Sequence, residues 1–166
     1  TKGLVAIRYS KGKINYQDTK YHLQSIGTWD IISYQEKRAC DGYLISYGDF
    51  FNTAIDVQKD LKEKGIYLQV INARYIKPMD IKILKMLAIL NKPIFVYEEV
   101  VNVGSLGSEI AKWLLENGFD NTYENFAIPD EFIKQVKREE IIKLLKLDKD
   151  NIMRKIEKMM KNANRS

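Results

Sequence analysis

Residues 67–97 read YLQVINARYIKPMDIKILKMLAILNKPIFVY, and this stretch decides the fold. Tyr67–Ile71 has the apolar, β-branched make-up of a buried strand. Pro78-Met79-Asp80 introduces a helix over Ile81–Leu90, whose Ile83, Leu84, Leu87 and Ala88 fall on one inner face. Pro93 restarts the chain as the strand Ile94–Tyr97. Strand, helix and strand in so short a span form a βαβ unit, which places the two strands parallel.

The pattern continues on both sides. Upstream, Trp29–Gln35 and Tyr43–Tyr47 read as strands, with Asp41-Gly42 between them as a tight-turn signal because both positions tolerate positive φ. After Gly48-Asp49, Phe51, Ala54, Ile55, Val57 and Leu61 recur at helical spacing up to a stop at Gly65. Downstream, Gly104-Ser105-Leu106-Gly107-Ser108 leads into a helix over Glu109–Asn117, and Thr122–Ile128 makes a last strand. Two helices close the chain, Lys137–Leu147 and Asp150 to about Asn162. In the second, Ile152, Ile156, Met159 and Met160 share a stripe that reads as core, or alternatively as a partner-binding face, with Asp148 or Asp150 as cap. The alternation predicts an α/β fold, a three-layer αβα sandwich with a mainly parallel sheet and an antiparallel edge strand.

The first residues do not join this pattern. Leu4–Tyr9 alternates like a strand between Gly3 and Gly12, yet nothing near it in sequence would cover its faces. Lys11–Thr28 is polar and aperiodic, in the manner of a linker. The absence of an initiator Met and of a signal-peptide pattern reads as a cut through a longer chain. The expected organisation is therefore a tail of a preceding domain over residues 1–12, a linker over 13–28, and one globular domain over 29–166.

Composition removes several function classes. No apolar run approaches the roughly 20 residues that cross a bilayer, and a soluble, cytoplasmic protein with no membrane partner is expected. Cys40 is the only cysteine, which rules out disulfide frameworks and cysteine-based zinc sites. His22 is the only histidine and lies in the linker, so triads that need a histidine base drop out, as do two-histidine metal sites. The net charge of +5 is concentrated in residues 134–166, which hold 11 Lys and Arg against 5 Asp and Glu. These cations surround helices without interleaved aromatic residues, so no nucleic-acid partner is expected.

Three places remain as candidates. Glu98 and Glu99 end a central strand, at the edge where open α/β sheets bind ligands. One could be an acid, base or anchor; alternatively, alternation sends one carboxylate to a helix N-terminus or Arg74 and leaves the other in solvent. The Gly104–Ser108 loop precedes a helix, where free N–H groups suit an anion, although two glycines there also make an ordinary tight turn. Arg8 and Lys11 end the isolated first strand, where cations could meet a phosphate or simply be solvated.

Several of these segments resemble the last third of transketolase-type thiamine-diphosphate enzymes. Val70-Ile71-Asn72-Ala73-Arg74-Tyr75-Ile76-Lys77-Pro78-Met79-Asp80 is similar to that family's strand-end pattern of Arg, aromatic, aliphatic, Lys-Pro, aliphatic, Asp. Glu98-Glu99 followed by Gly104–Ser108 is similar to its Glu-Glu and Gly-Gly-x-Gly-Ser pair. Ala6-Ile7-Arg8-Tyr9-Ser10-Lys11-Gly12, Ile128-Pro129-Asp130-Glu131-Phe132-Ile133 and Leu145-Lys146-Leu147-Asp148 resemble the deoxyxylulose-phosphate synthase branch. The chain departs from the pattern at Ser10, Lys11, Ser105 and Lys146. The β subunit of a 2-oxo acid dehydrogenase E1 component shares the first two features but not the Ile128–Ile133 segment. A stand-alone α/β module binding phosphate at the Gly104 loop is the alternative from another class.

The resemblance implies an enzyme that joins pyruvate to glyceraldehyde 3-phosphate with loss of carbon dioxide, for isoprenoid and thiamine synthesis. It implies thiamine diphosphate and Mg2+ held by upstream domains, with residues 1–12 the end of a pyrimidine-binding domain. No catalytic, cofactor or metal residue is expected on this chain. Lys11, with Arg8, is implied in holding the substrate phosphate, Lys11 as a point charge where the family has a forked Arg. The partners implied are the upstream domains and a second subunit of a homodimer, to which the third domain lends packing.

Overall fold

A computed structural model describes residues 3–6, 25–32, 39–133 and 136–163. Its elements are β1 (Asp30–Ile31), β2 (Gly42–Ser46), α1 (Asp49–Glu63), β3 (Leu68–Asn72) and α2 (Ile81–Ile89), followed by β4 (Ile94–Val101), α3 (Leu106–Glu116), β5 (Tyr123–Ile128), α4 (Arg138–Leu144) and α5 (Lys149–Ala163). The strands form one sheet in the order β1-β3-β2-β4-β5. All neighbours are parallel except β1, which lies antiparallel on β3 at the edge. The three-layer sandwich is the architecture the alternation predicts.

Strict alternation along the central strands sorts side chains between two cores. Leu44, Leu68, Val70, Phe95 and Tyr97 face one side, where α1 and α5 cover them with Phe50, Ala54, Val57, Leu61, Ile152, Ile156 and Met160. Tyr43, Ile45, Ile71, Ile94 and Val96 face the other, under Leu84 and Leu87 of α2 and Leu106, Ile110 and Leu114 of α3. Both faces of β2 are buried, as a parallel strand with helices above and below requires. Each of these large apolar side chains contributes about 1.5–3 kcal/mol by leaving water.

The stripe on α5 is core: Ile152, Met153, Ile156 and Met160 are buried and Met159 is partly so. Asp148 is its cap, accepting from the Asn151 amide at 3.3 Å. The basic closing segment is tied to acids of the body through Lys149–Asp60 at 2.7 Å, Lys64–Glu157 and Lys155–Glu124. Its fellow α4 differs, since none of its residues is buried.

Three expectations are corrected. The strand read at Trp29–Gln35 is only Asp30–Ile31 in the described residues, and Asp41-Gly42 does not turn it back onto β2, because β1 pairs with β3. Gly42 is the first residue of β2, and it is glycine for closeness: a Cβ there would sit 3.0 Å from the Pro93 carbonyl oxygen, whose partner is the Tyr43 amide. The third helix starts at Leu106, not Glu109, because Ser105 caps it, its Oγ accepting from the Ser108 amide. Leu4–Ala6, the described part of the first predicted strand, is exposed and not in a strand. Arg8, Lys11, His22 and most of the predicted linker lie outside the described residues.

The Lys77-Pro78-Met79-Asp80 loop has a structural task. Asp80, buried, accepts from the Ile83 amide at the start of α2 and from the Trp29 amide at 2.9 Å. The Trp29 indole N–H donates to the Tyr75 carbonyl at 2.8 Å. A Cβ at Gly27 would lie 2.9 Å from Pro78 Cγ. Gly27 and Trp29 are thus held against the loop that precedes α2.

Candidate functional site at the carboxyl edge

β2 connects through α1 to β3 on one side, while β4 flanks β2 on the other. The connections part between β2 and β4, and in open α/β sheets the crevice at the carboxyl ends of such strands is where ligands bind. Tyr47 and Asp49 follow β2 there, and Glu98 and Glu99 stand on β4. The pairing of β4 with β5 shifts register between Tyr97 and Val101, so these two glutamates occupy an irregular stretch. They still face opposite layers.

Glu98 points to the α3 side and is fully buried. One oxygen accepts from Tyr47 Oη at 2.9 Å; the other accepts from the Gly107 amide at 2.9 Å and Asn125 Nδ2 at 3.0 Å. A carboxylate set against the first turn of α3 is stabilised by its unsatisfied N–H groups and the helix dipole. The anion at this helix N-terminus is therefore the protein's own, which accounts for the Gly104 loop without a phosphate. Gly107 is required by this packing, because a Cβ there would fall 2.2 Å from Asn125 Nδ2. Tyr123 Oη closes the cluster by donating to the Gly107 carbonyl at 2.6 Å. Burial first, and the Glu98 charge second, push the Tyr47 hydroxyl well above the usual tyrosine range, so it remains a donor.

Glu99 points to the other layer. Its carboxylate meets the guanidinium of Arg138 through both oxygens, and Asp49 Oδ2 lies 3.6 Å from the same guanidinium. Arg138 also lies over the Phe50 ring, 5.9 Å from its centroid. The hydrogen bond to Glu99, foremost, raises the Arg138 pKa further, so its charge is permanent. Beneath the pair and under α4 is a cleft of about 250 Å³, whose walls include Phe50, Ile128, Ile141, Ile142, Leu145 and Leu147.

The candidate residues thus separate. Of the two readings of Glu98 and Glu99, the structure shows the second: alternation sends Glu98 to a helix N-terminus. Arg74 is not its partner, since Arg74 pairs with Asp30 at 3.0 Å. Glu99 is held by Arg138 instead of being left to solvent. Tyr47, Asn125 and Arg138 were invisible in the sequence because they reach the glutamates across 27–51 positions. Among the described residues no three His, Cys, Asp or Glu side chains are grouped to hold a metal ion, and no helix is long and apolar enough to cross a membrane.

The transketolase C-terminal domain family matches residues 33–152. The chain belongs to that family. The 1-deoxy-D-xylulose-5-phosphate synthase of Carboxydothermus hydrogenoformans is 34% identical over 159 residues, covering 95% of this chain and 25% of the relative. That of Bacillus mycoides is 29% identical over 161 residues with the same coverage. The chain spans about a quarter of the length of these curated relatives. Among solved structures, a split gene transketolase in an inactive β4 tetramer superposes with a TM-score of 0.70 at 21% identity, over 81% of this chain and 43% of the other. A transketolase mutant from Pichia stipitis gives 0.58 at 18% identity, over 81% and 18%. At such identities these two establish the transketolase C-terminal fold alone.

Proposed function

We propose that the chain is the C-terminal domain of a 1-deoxy-D-xylulose-5-phosphate synthase, a thiamine-diphosphate-dependent transferase. The enzyme would join a two-carbon unit from pyruvate to the aldehyde carbon of glyceraldehyde 3-phosphate, releasing the pyruvate carboxylate as carbon dioxide. The observation that carries this reading is the extent of the similarity. It runs over 95% of the chain at 34% identity, beyond the ends of the family match at residues 33 and 152.

In this reading residues 1–12 end the preceding pyrimidine-binding domain, residues 13–28 link it to the domain that starts at Trp29, and thiamine diphosphate and Mg2+ bind upstream. This domain supports packing against the upstream domains and a homodimer partner, in the cytoplasm. Lys11, assisted by Arg8, neutralises the phosphate of glyceraldehyde 3-phosphate. A charge-assisted contact of this kind is worth roughly 1.5–3 kcal/mol.

The test is the full-length product of the gene, assayed with pyruvate and glyceraldehyde 3-phosphate. Synthase activity is expected, with Lys11→Ala raising the KM for glyceraldehyde 3-phosphate about tenfold or more and leaving that for pyruvate unchanged. A reading frame without upstream thiamine-binding domains, or a product without this activity, would sink the proposal.

A further inference from the structure

The helix α2 is apolar on both sides. Leu84, Leu87 and Ala88 pack against the sheet, yet Ile81, Met86 and Ile89 on the helix and Leu90 at its end are 42% to 62% exposed. A helix that is hydrophobic all round is one that is covered all round. Its outer charge is of one sign. Lys77, Lys82 and Lys85 are exposed and form no ion pair among the described residues, while the only acid from Ala73 to Tyr97, Asp80, is buried as the cap of α2.

The neighbouring helix carries the complement. α2 and α3 cover the same face of the sheet, and Asn121, in the loop after α3, ties them together by donating to the Ala88 carbonyl at 3.2 Å and the Lys92 carbonyl at 3.1 Å. Glu109, Leu115 and Glu116 are exposed on α3, and Asp120 is exposed in the loop that follows. The one cation from Leu106 to Asn121, Lys112, lies 3.9 Å from Glu116. An acidic strip with an apolar side chain thus runs beside a basic apolar one. Both helices return from parallel strands, so they run in the same direction. A two-fold axis along the seam between them sets α2 of one copy on α3 of the other, twice over. A pairing of α2 with α2 sets lysines on lysines.

We infer that the outer face of the α2–α3 layer is where a second copy of this chain docks, α2 against α3 and α3 against α2. Met86, Ile89, Leu90 and Leu115 supply the apolar contact, and the lysines of each α2 face the glutamates of the facing α3. Apolar burial gives the attachment, while the opposed charges select this register over α2 on α2. This names the face for the second subunit in the proposed function and rests on that part of it. No activity enters its test, so the synthase assay and this measurement can fail separately.

Sedimentation velocity of the intact chain from low to high micromolar concentration reads the association, and a dimer is expected at the upper end. Ile89→Gln with Leu90→Gln, which removes apolar contact without adding charge, should weaken it about tenfold or more. Lys82→Glu with Lys85→Glu makes both helices acidic, and Glu109→Lys with Glu116→Lys makes both basic. Each of these pairs should weaken self-association about tenfold or more through like charges. Mixed in equal amounts, the acidic and basic chains should form a dimer of one of each, because both α2–α3 contacts then join opposite charges. All of these positions are exposed, so the variants keep the fold. A monomer at every concentration, a dimer indifferent to Ile89→Gln with Leu90→Gln, or failure of the mixed chains to pair would overturn the assignment. So would undiminished self-association of the Glu109→Lys, Glu116→Lys chain, which is the result that α2-on-α2 pairing gives.

Discussion

Glu98 and Glu99 are neighbours on one strand, yet they belong to different physical regimes. Glu98 sits on the α3 side, fully buried, with three donors from three separate parts of the chain. Glu99 sits on the α4 side, partly exposed, with one cationic partner that Asp49 shares. The difference teaches that a carboxylate at a ligand-binding edge is identified by what encloses it, not by its place in a motif. An enclosed one organises the fold, while a more open one is held by a single solvent-screened pair.

The largest loss of stability is expected from Glu98→Ala. It removes the acceptor shared by Tyr47 Oη, the Gly107 amide and Asn125 Nδ2, which strands the buried Gly107 amide while Asn125 Nδ2 keeps Asn102 Oδ1 and Ser105 Oγ; each hydrogen bond lost to a charged group costs about 1.5–3 kcal/mol. A loss of about 4 kcal/mol in urea unfolding is expected; a loss under about 1 kcal/mol would mean that Glu98 organises little.

Tyr47→Phe removes one of the three donors and should cost about 1.5 kcal/mol near neutral pH. Its pH dependence carries a sign. The folded Tyr47 pKa lies above the unfolded value near 10, so its contribution is fully present below about pH 10 and is lost as pH rises through the folded value. The gap between wild type and variant should therefore narrow above about pH 10. Burial raises Tyr43, Tyr97 and Tyr123 as well, so tyrosinate absorbance of the folded wild type should appear late for these residues. A constant gap across alkaline urea melts would contradict this.

Glu99→Gln is expected to move stability least, by about 0.5 kcal/mol or less, since the pair is solvent-screened. A loss comparable to that of Glu98→Ala would erase the distinction between the two glutamates.

Much of the fold was legible because it is local. The βαβ stretch at 67–97, the helix after Gly48 and the stripe on α5 are set by periodicity, and their cores form where it places them. The edge strand was not, since Asp30–Ile31 takes its place from pairing with Ile71 and Asn72, and no neighbouring residue encodes that register. At the site, alternation sufficed to send Glu98 and Glu99 to opposite layers. Their partners were hidden: Arg138 is one cation among many in a basic segment, and nothing near it in sequence distinguishes it from Lys137 or Lys143. Gly42 and Gly107 looked like turn residues, whereas closeness to Pro93 and Asn125 is what excludes a side chain there.

The clamp on Trp29 also defines a load path. Tension applied to the chain upstream of Ser25 would not peel an edge strand one hydrogen bond at a time. It would pass from the Trp29 amide into the Asp80 carboxylate and so into the first turn of α2, and from the indole into the Tyr75 carbonyl. The segment Ser25–Trp29 is thus held at the first turn of α2 as well as beside the edge strand.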